Sequence, residues 1–457
     1  MTARLADSEM YSHLWGSAEL RAIFSEKARL QSWLDILSAL AQAQARLGLI
    51  PGSSAEAIAA AARVELLDLD FAAEETRATS HSTLGLIHAL QRILPPPAQE
   101  HVYLGTTVQD ISDTWTALTI RRVGAIVWRD LRIIEDLLLD LAAGHRATMM
   151  LGRTHGQPGA PITFGFKAAS WADEVRRHLS RLADGRERWL VGQLGGSVGA
   201  IGFFGADGIR LRQELCAQVG LADPGISWLT SRDRIVDFAQ LLAMISGTLA
   251  RIGVEVYELQ RPEIAELSEP TTPGAVSSIT MPHKRNPERS EHLDTLARLV
   301  RANTGALLEA MVQQHERDGR GWKTEWIAFP EVCLLTGTAL QLTVEILSGL
   351  DVDTEQMAAN LAIGSGFINS EQVLASLTPQ LGKHRAQAVM HEAITASAGA
   401  RPVLAALADA GVCLDGVLPA EAVHVDSPAV VSAVTMTDEV VRRGRAARAT
   451  EPDAWPW

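Results

Sequence analysis

The stretch with the most potentially reactive side chains is residues 273–287, which reads PGAVSSITMPHKRNP. Its prolines and glycine exclude a regular helix, so we predict a loop that feeds a long helix beginning near Glu288. His283, Lys284 and Arg285 come just before that helix, whose dipole is also positive at its N-terminus. Cations at that point are unfavourable unless they hold an anion, so we predict an anion pocket here. The alternative is a solvated basic turn.

Two other polar turns carry candidate functional side chains. Residues 151–165, LGRTHGQPGAPITFG, place His155 in a glycine-rich turn between two predicted long helices, where bundle loops often carry function. Residues 105–114, GTTVQDISDT, have helix N-cap character at Asp110 or Ser112. Capping alone would explain these two residues, and a lone histidine is usually structural, so the residue types by themselves leave the roles of both turns open.

Composition narrows the class of protein. The length of 457 residues suggests about three domains, or one large core with two lobes. Hydrophobic residues at 47% and charged residues at 21% are typical of a globular chain, and 5% aromatics favours packed helices over a β-sandwich. A net charge of -13 argues against a nucleic-acid or membrane-surface binder. Three scattered cysteines predict no disulfide framework or metal cluster.

The expected location is the cytoplasm. The first residues, MTARLADS, lack the apolar segment of a secretory signal. No run of apolar residues reaches the roughly 18 that a membrane span needs.

Helical periodicity dominates the chain, and we find no convincing strand alternation. The clearest apolar stripe alternates spacings of three and four, at Ile235, Phe238, Leu242, Ile245, Leu249, Ile252, Val256 and Leu259. A second stripe, from Val127 to Leu141, lies within residues 113–146. Further long helical segments are predicted near residues 163–191, 288–317 and 325–350. Helices of this length predict an elongated bundle.

We predict an all-α protein of three helical domains: an N-terminal domain (1–105), a central bundle of long helices carrying the loop (106–350), and a C-terminal domain (351–457). Only residues 451–457 look like a loose tail. An apolar stripe as regular as this usually packs against another helix. We therefore expect some helix faces to pair with other copies of the chain.

The loop at residues 278–286 resembles the signature loop of the fumarase/aspartase superfamily, Gly-Ser-x-x-Met-x-x-Lys-x-Asn. Ser277 stands where that family has Gly, and Ile279 replaces its common second Ser. The sequence MPHKRNP is similar to the form that this motif takes in the branch containing adenylosuccinate lyase and 3-carboxy-cis,cis-muconate cycloisomerase. Residues 23–35, 314–317 and 321–326 look especially like the cycloisomerase, and the resemblance covers nearly the whole chain.

The resemblance implies an all-helical homotetramer around a shared bundle, with each active site assembled from three subunits. It implies a small dicarboxylate substrate, no metal and no cofactor. The usual reaction is anti β-elimination from a substituted succinate, which releases fumarate. Ser278 would remove the Cβ proton, and the resulting carbanion is stabilised as an aci-carboxylate.

The implied roles suit the residue types. A serine is a poor base unless its alkoxide is stabilised, which Lys284, the loop amides and the helix N-terminus would do together. Lys284 and Asn286 would grip the substrate carboxylate whose charge doubles in the intermediate. His155 would be the general acid, and Glu291 would orient its ring and raise its pKa.

The resemblance also suggests substrate-binding residues. Thr107 occupies a substrate-binding position, although Val108 replaces the Ser that usually follows it. His81 lies near a binding histidine of adenylosuccinate lyase, and Thr154 lies beside His155. Of Arg232 and Arg234, one would clamp a carboxylate while the other forms a salt bridge in the bundle.

Within the branch, His155 favours a lyase that cleaves a carbon–nitrogen bond, because bacterial cycloisomerases have Trp at its position. Adenylosuccinate lyase is disfavoured, because its N-terminal Arg-Tyr element is not evident around residues 11–15. Nitrosuccinate and N-substituted aspartates are candidate substrates. The alternatives are a 3-carboxy-cis,cis-muconate cycloisomerase and a non-catalytic, crystallin-like structural protein.

Overall fold

The computed structural model describes residues 4–456 except 272, 273, 275, 282, 364–367, 369, 397–402 and 416–422. Pro273, Ala275 and Pro282 of the predicted loop therefore lie outside the described residues. The first helices are short or of medium length: α1 (Ala18–Phe24), α2 (Glu26–Arg46), α3 (Gly52–Ala61), α4 (Leu69–Thr79), α5 (Leu84–Arg92) and α6 (Pro96–Gln99). Short 3-10 helices lie at Leu5–Asp7, Ser12–Leu14, Val64–Leu66 and Gly202–Asp207.

Long helices make up the middle of the chain and short ones follow. The middle contains α7 (Val108–Gly144), α8 (Phe164–Trp189), α9 (Gly208–Gln218), α10 (Asp233–Leu259), α11 (Glu288–Glu309) and α12 (Gly319–Ser348). After it come α13 (Thr354–Ile363), α14 (Ser370–Leu381), α15 (Lys383–Ala396), α16 (Val403–Asp409) and α17 (Val431–Thr450). The strands are β1 (Met149–Thr154), β2 (Gln157–Thr163), β3 (Leu267–Ser268) and β4 (Asp351–Val352).

Helices α7, α8, α10, α11 and α12 pack on one another as the predicted bundle. Every residue of the Ile235–Leu259 stripe is buried in a single hydrophobic core. In the second stripe Val127, Leu131, Ile134 and Leu138 are buried, and Leu141 is half-buried. The all-α class is therefore confirmed, because the apolar periodicity matches the buried faces of these helices.

The predicted helix at residues 288–317 is too long. Helix α11 ends at Glu309, and the chain then turns before α12. The carboxylate of Asp318 holds this turn, because it accepts the backbone N–H groups of Gln314 (3.2 Å) and Arg320 (3.0 Å). A side-chain cap of this kind starts a new helix rather than continuing the old one.

The prediction that the chain has no strands is wrong between α7 and α8. Strands β1 and β2 form an antiparallel hairpin, in which Thr154 pairs with Gln157. The register shifts between Leu151 and Arg153, so the pairing is irregular. Gly152 and the two prolines of β2 hide the period-2 pattern that would reveal a strand in the sequence.

The predicted loose tail at residues 451–457 is also wrong over its described part. Helix α17 packs on α7 and α8, and Trp455 is buried in the main core. The Trp455 indole N–H donates to the carbonyl of Leu182 (3.2 Å), and its ring fills a space beside Gly124 that a Cβ there would occupy. The carboxylate of Glu451 accepts from Arg132 and Arg176 on the bundle.

Helices α10 and α12 are long and apolar enough to cross a membrane by length and composition. In this structure 67% and 72% of their apolar windows are buried within the protein. That burial is typical of core helices in a bundle, which meet the same length criterion. These helices are therefore weak evidence for a membrane protein.

The bundle contains a buried ionic triad around Arg232, which precedes α10. Its guanidinium donates two hydrogen bonds to Asp113 of α7 (2.8 and 2.9 Å) and two to Glu325 of α12 (2.7 and 2.6 Å). Burial raises the pKa of both carboxyl groups, while the guanidinium favours their ionised forms. Removal of the cation would therefore leave two buried carboxylates without a counter-ion.

We predict that Arg232→Met lowers the free energy of unfolding by about 3–5 kcal/mol, because breaking a buried ion pair strands the remaining charges. Arg251→Met is the matched control, since Arg251 on α10 pairs with Glu174 at the surface. The control should cost no more than about 1 kcal/mol. Urea unfolding followed by circular dichroism measures both changes, and equal losses would contradict a special role for the triad.

Candidate active site

The tip of the β1–β2 hairpin presents His155 to solvent. His155 and Gly156 form a two-residue turn with φ angles of 53° and 73°, the positive values of a type I′ turn. The side chains of Thr154 and His155 are exposed, and neither makes a hydrogen bond or ion pair with any residue that the structure describes. The imidazole is therefore free to receive a partner or substrate from outside its own chain.

An ion pair anchors the base of this hairpin. The guanidinium of Arg153 donates to both carboxylate oxygens of Glu266, at 2.8 and 2.7 Å. The Glu266 side chain is fully buried, and it also accepts from Asn360 at 2.8 Å. The pair holds the hairpin against the segment that enters the 273–287 loop.

The described part of that loop is held by short-range hydrogen bonds. The Ser278 hydroxyl oxygen accepts the Met281 N–H (3.0 Å), and the Asn286 amide donates to the Ser277 carbonyl (2.9 Å). The exposed ammonium of Lys284 makes no ion pair with any described residue. Ser278 is half-buried, so its hydroxyl lies near the surface rather than in the core.

The anion at the N-terminus of α11 is a side chain of the protein. The carboxylate of Glu269 accepts the N–H groups of Arg289 (3.3 Å) and Ser290 (2.6 Å) in the first turn. We expected the N-terminus of this helix to help to stabilise the Ser278 alkoxide. Glu269 already occupies these N–H groups in this structure, so that part of the prediction needs correction.

A cavity of about 580 Å³ adjoins the loop. Its lining includes Ser277, Arg285 and Asn286 from the loop, together with Glu269 and His292. Two predicted features, the basic turn and Asn286, therefore border the same space.

Thr107 directly precedes α7 and contacts an arginine to which we assigned no role. Arg317 donates to the Thr107 hydroxyl (2.6 Å) and to the side-chain oxygen of Gln109 (3.1 Å). The sequence signal was the 314–317 segment, which matched the cycloisomerase without indicating a contact. Thr107 thus brings a guanidinium to the position where a substrate carboxylate is expected.

Asp110 fixes the turn that carries Thr107. Its carboxylate accepts backbone N–H groups from Thr107 (3.0 Å), Gly195 (2.7 Å) and Gly196 (3.0 Å), and the Thr106 hydroxyl (3.1 Å). Burial raises the pKa of Asp110 to about 6, although these four donors favour the ionised form. The residue is more than the helix cap that its position suggested, because it joins the turn to a separate loop.

The structure separates the two candidate arginines. Arg232 is fully buried and committed to Asp113 and Glu325, so it is the bundle salt bridge and is wrong as a substrate clamp. Arg234 is half-buried and donates to the carbonyl of Arg188. It makes no ion pair with a described carboxylate, so it stays a candidate.

The remaining two candidates lie apart from these contacts. The ring of half-buried His81 accepts the backbone N–H groups of Thr83 and Leu84, both at 3.3 Å, and so caps the start of α5. Glu291 is exposed on the first turn of α11, and its carboxylate makes no hydrogen bond or ion pair with His155 or any other described residue. Orientation of His155 by Glu291 does not occur within the described part of one chain and stays a prediction.

Six of the predicted site residues fall into three groups: the Thr107 turn, the hairpin tip with Thr154 and His155, and the 273–287 loop with Ser278, Lys284 and Asn286. No hydrogen bond or ion pair between described residues of one chain joins these groups. The hairpin tip and the loop nevertheless present polar side chains that lack partners or face a cavity.

Comparison with known proteins identifies the family. The model of a lyase family matches residues 16–302. An N-acetyl-S-(2-succino)cysteine lyase from Dickeya dadantii is 40% identical over 392 residues, which is 86% of each chain. A nitrosuccinate lyase from Streptomyces davaonensis is 37% identical over 422 residues, or 88% of each chain. The crystal structure of the 3-carboxy-cis,cis-muconate lactonizing enzyme from Pseudomonas putida superposes with a TM-score of 0.85 at 32% identity, and covers 96% of this chain and 99% of that one.

These similarities extend over nearly the whole length of the chain and include the three groups of site residues. The protein belongs to the lyase family of the fumarase/aspartase superfamily, in the branch that contains the 3-carboxy-cis,cis-muconate cycloisomerases and adenylosuccinate lyases.

Proposed function

We propose that this enzyme cleaves a carbon–heteroatom bond in a substituted succinate by anti β-elimination and releases fumarate. The observation that carries the proposal is the presence of a hydroxyl, a cation and an imidazole, from Ser278, Lys284 and His155, on two exposed segments of a lyase-family chain. Lys284 and His155 have no partner among the described residues of their own chain, so both are available to substrate.

In the proposed mechanism Ser278 takes the Cβ proton, and His155 protonates the leaving group. Lys284 and Asn286 hold the carboxylate that becomes doubly charged. Preorganised donors at the point where charge develops typically contribute 100- to 1000-fold to the rate. Because Glu269 occupies the α11 amides, Lys284 has to supply most of the positive potential near the Ser278 oxygen.

The proposed enzyme is a homotetramer whose active sites combine the three groups from different copies. Apolar side chains on the outward faces of α10 and α11 support this, since Met244, Val254, Leu299 and Leu308 are 46%, 45%, 38% and 43% exposed. These side chains are available for burial against another copy of the chain. A cytoplasmic location, with no membrane or nucleic-acid partner, completes the proposal.

The leaving group is proposed to be a thiol, nitrite or an amine. Our first candidate substrate is N-acetyl-S-(2-succino)cysteine, from the name of the 40%-identical relative, followed by nitrosuccinate. This extends the carbon–nitrogen cleavage predicted from the sequence. Cycloisomerization of 3-carboxymuconate is the second candidate, favoured by the structural similarity to the lactonizing enzyme over almost the entire chain.

A panel of substrates tests the function. The purified enzyme is mixed with N-acetyl-S-(2-succino)cysteine, nitrosuccinate, N-substituted aspartates and 3-carboxymuconate, and fumarate and lactone are monitored in parallel. Fumarate from any substituted succinate supports the lyase. Lactone without fumarate would overturn it in favour of the cycloisomerase.

Ser278→Ala should lower kcat by at least ~1000-fold, because no other group in the proposal takes the Cβ proton. Ser277→Ala is the matched control: it removes the neighbouring hydroxyl but keeps the carbonyl that accepts from Asn286. Light scattering should show the same oligomer for both variants. Appreciable turnover by Ser278→Ala would reject Ser278 as the base.

His155→Ala should lower kcat by roughly 100- to 10,000-fold for amine leaving groups, which need a proton as they depart. The loss should be less than about tenfold for nitrite, a weakly basic leaving group that departs without one. Gln157→Ala, at the same hairpin tip, controls for disturbance of the turn. Equal losses across leaving groups would count against the acid role.

A further inference from the structure

The chain contains a second cavity, of about 640 Å³, between α2, α4, α7 and α12. This volume is within the range of small-molecule sites. Six aromatic rings contribute to its wall, among them Trp33, Trp115, Trp322 and Phe329. Such a wall suits the apolar part of a ligand.

Arg29 supplies a cation to this cavity. Its guanidinium carbon lies 4.7 Å from the centre of the Trp115 ring, and its buried Nε has no hydrogen-bond partner. It makes no ion pair with any described carboxylate, although Glu26 and Asp70 also line the cavity. Burial lowers the pKa of Arg29, so its positive charge is held at a cost that a bound anion would offset.

The other charged residues that line the cavity differ from Arg29 in their partners or in their exposure. The Glu325 carboxylate faces the same cavity, but both of its oxygens are taken by Arg232. Arg77 lines the cavity as an exposed side chain and keeps its hydration. Among the described lining residues, Arg29 is the half-buried cation without an ion pair, although the nearby Glu26 carboxylate on the same helix favours its charged form.

The cavity adjoins the Thr107 group. Arg317, which donates to the Thr107 hydroxyl, lies over the Trp322 ring at 5.6 Å from its centre. Trp322 packs edge-on against Trp326 at 4.9 Å, and both rings line the cavity. The Trp322 ring therefore contacts both Arg317 of the Thr107 group and the cavity that contains Arg29.

We propose that this cavity receives the leaving group of the substrate, and that Arg29 binds a carboxylate carried by that leaving group. The inference rests on the proposed function, because it takes the Thr107 end as the succinyl site. It defines the substrate class as substituted succinates whose leaving group is an acylated amino acid or a similar anion with an apolar portion.

The test compares N-acetyl-S-(2-succino)cysteine with N-acetyl-S-(2-succino)cysteamine, which lacks the carboxylate of the leaving group. We expect kcat/KM of the unmodified enzyme to favour the first by roughly 10- to 100-fold, the usual effect of one hydrogen-bonded charge. In Arg29→Gln the preference should fall below about threefold. Arg29→Lys should restore part of it, mainly through KM.

Arg92→Gln is the matched control, because Arg92 also stacks on an aromatic ring, 4.1 Å from the centre of Phe71, but does not line the cavity. It should keep the full preference. No preference in the unmodified enzyme, or a preference that survives in Arg29→Gln, would overturn the inference. Thermal unfolding followed by circular dichroism verifies that both variants fold.

A binding measurement separates failure of this inference from failure of the proposed function. If neither thioether yields fumarate, the thioether lyase is rejected, and calorimetric titration of N-acetylcysteine and N-acetylcysteamine tests Arg29 alone. Selective binding of N-acetylcysteine that is lost in Arg29→Gln supports the carboxylate site. Equal or absent binding of the two thiols would reject it.

Discussion

The arrangement of the bundle depends on two buried salt bridges, which join the Arg232 guanidinium to the carboxylates of Asp113 and Glu325. One guanidinium joins the neighbouring ends of α7, α10 and α12, and each pair is bidentate. Bidentate pairs fix direction as well as distance, so they set the rotation of each helix about its axis. Asp110 lies one turn before Asp113 on α7. The four hydrogen bonds that its carboxylate accepts fix the turn that carries Thr107 to the start of this helix.

A second point of support lies at the entrance to the signature loop. Glu266 and Glu269 are three residues apart, on either side of the short strand β3. The first holds the hairpin through Arg153, and the second caps α11. The segments that carry the proposed acid and the proposed base therefore share one rigid support, although the two reactive groups do not meet within one chain.

The sequence was most informative where a feature repeats locally. The apolar stripe of α10 has a helical period, and a long amphipathic pattern leaves few alternatives, so its buried face could be predicted residue by residue. The loop motif likewise identified Ser278 and Lys284 as residue types suited to elimination. Their joint geometry could not be predicted from the motif, because it is expected to depend on other copies of the chain.

The sequence was least informative where partners are far apart along the chain. Arg232 is 119 residues from Asp113 and 93 residues from Glu325, and no local pattern distinguishes a buried arginine from one that meets substrate. Glu269 was missed for a similar reason, since a glutamate 20 residues before the backbone N–H that donates to it carries no capping signature. The β1–β2 hairpin escaped notice because glycine and proline interrupt its alternation, and pairing between only two strands imposes little pattern.

The position of Trp455 has a consequence for the order in which the protein is made. Its ring closes a groove beside Gly124 in the middle of α7, and no side chain at position 124 itself can fill that space. Ribosomes add about 5–20 residues per second, and Trp455 is made long after α7. The groove therefore stays exposed to water for roughly tens of seconds after α7 has emerged. During synthesis α7, the longest of the described helices, therefore exposes an apolar seam, and chaperone occupancy would be expected to concentrate there until Trp455, which follows α17, docks.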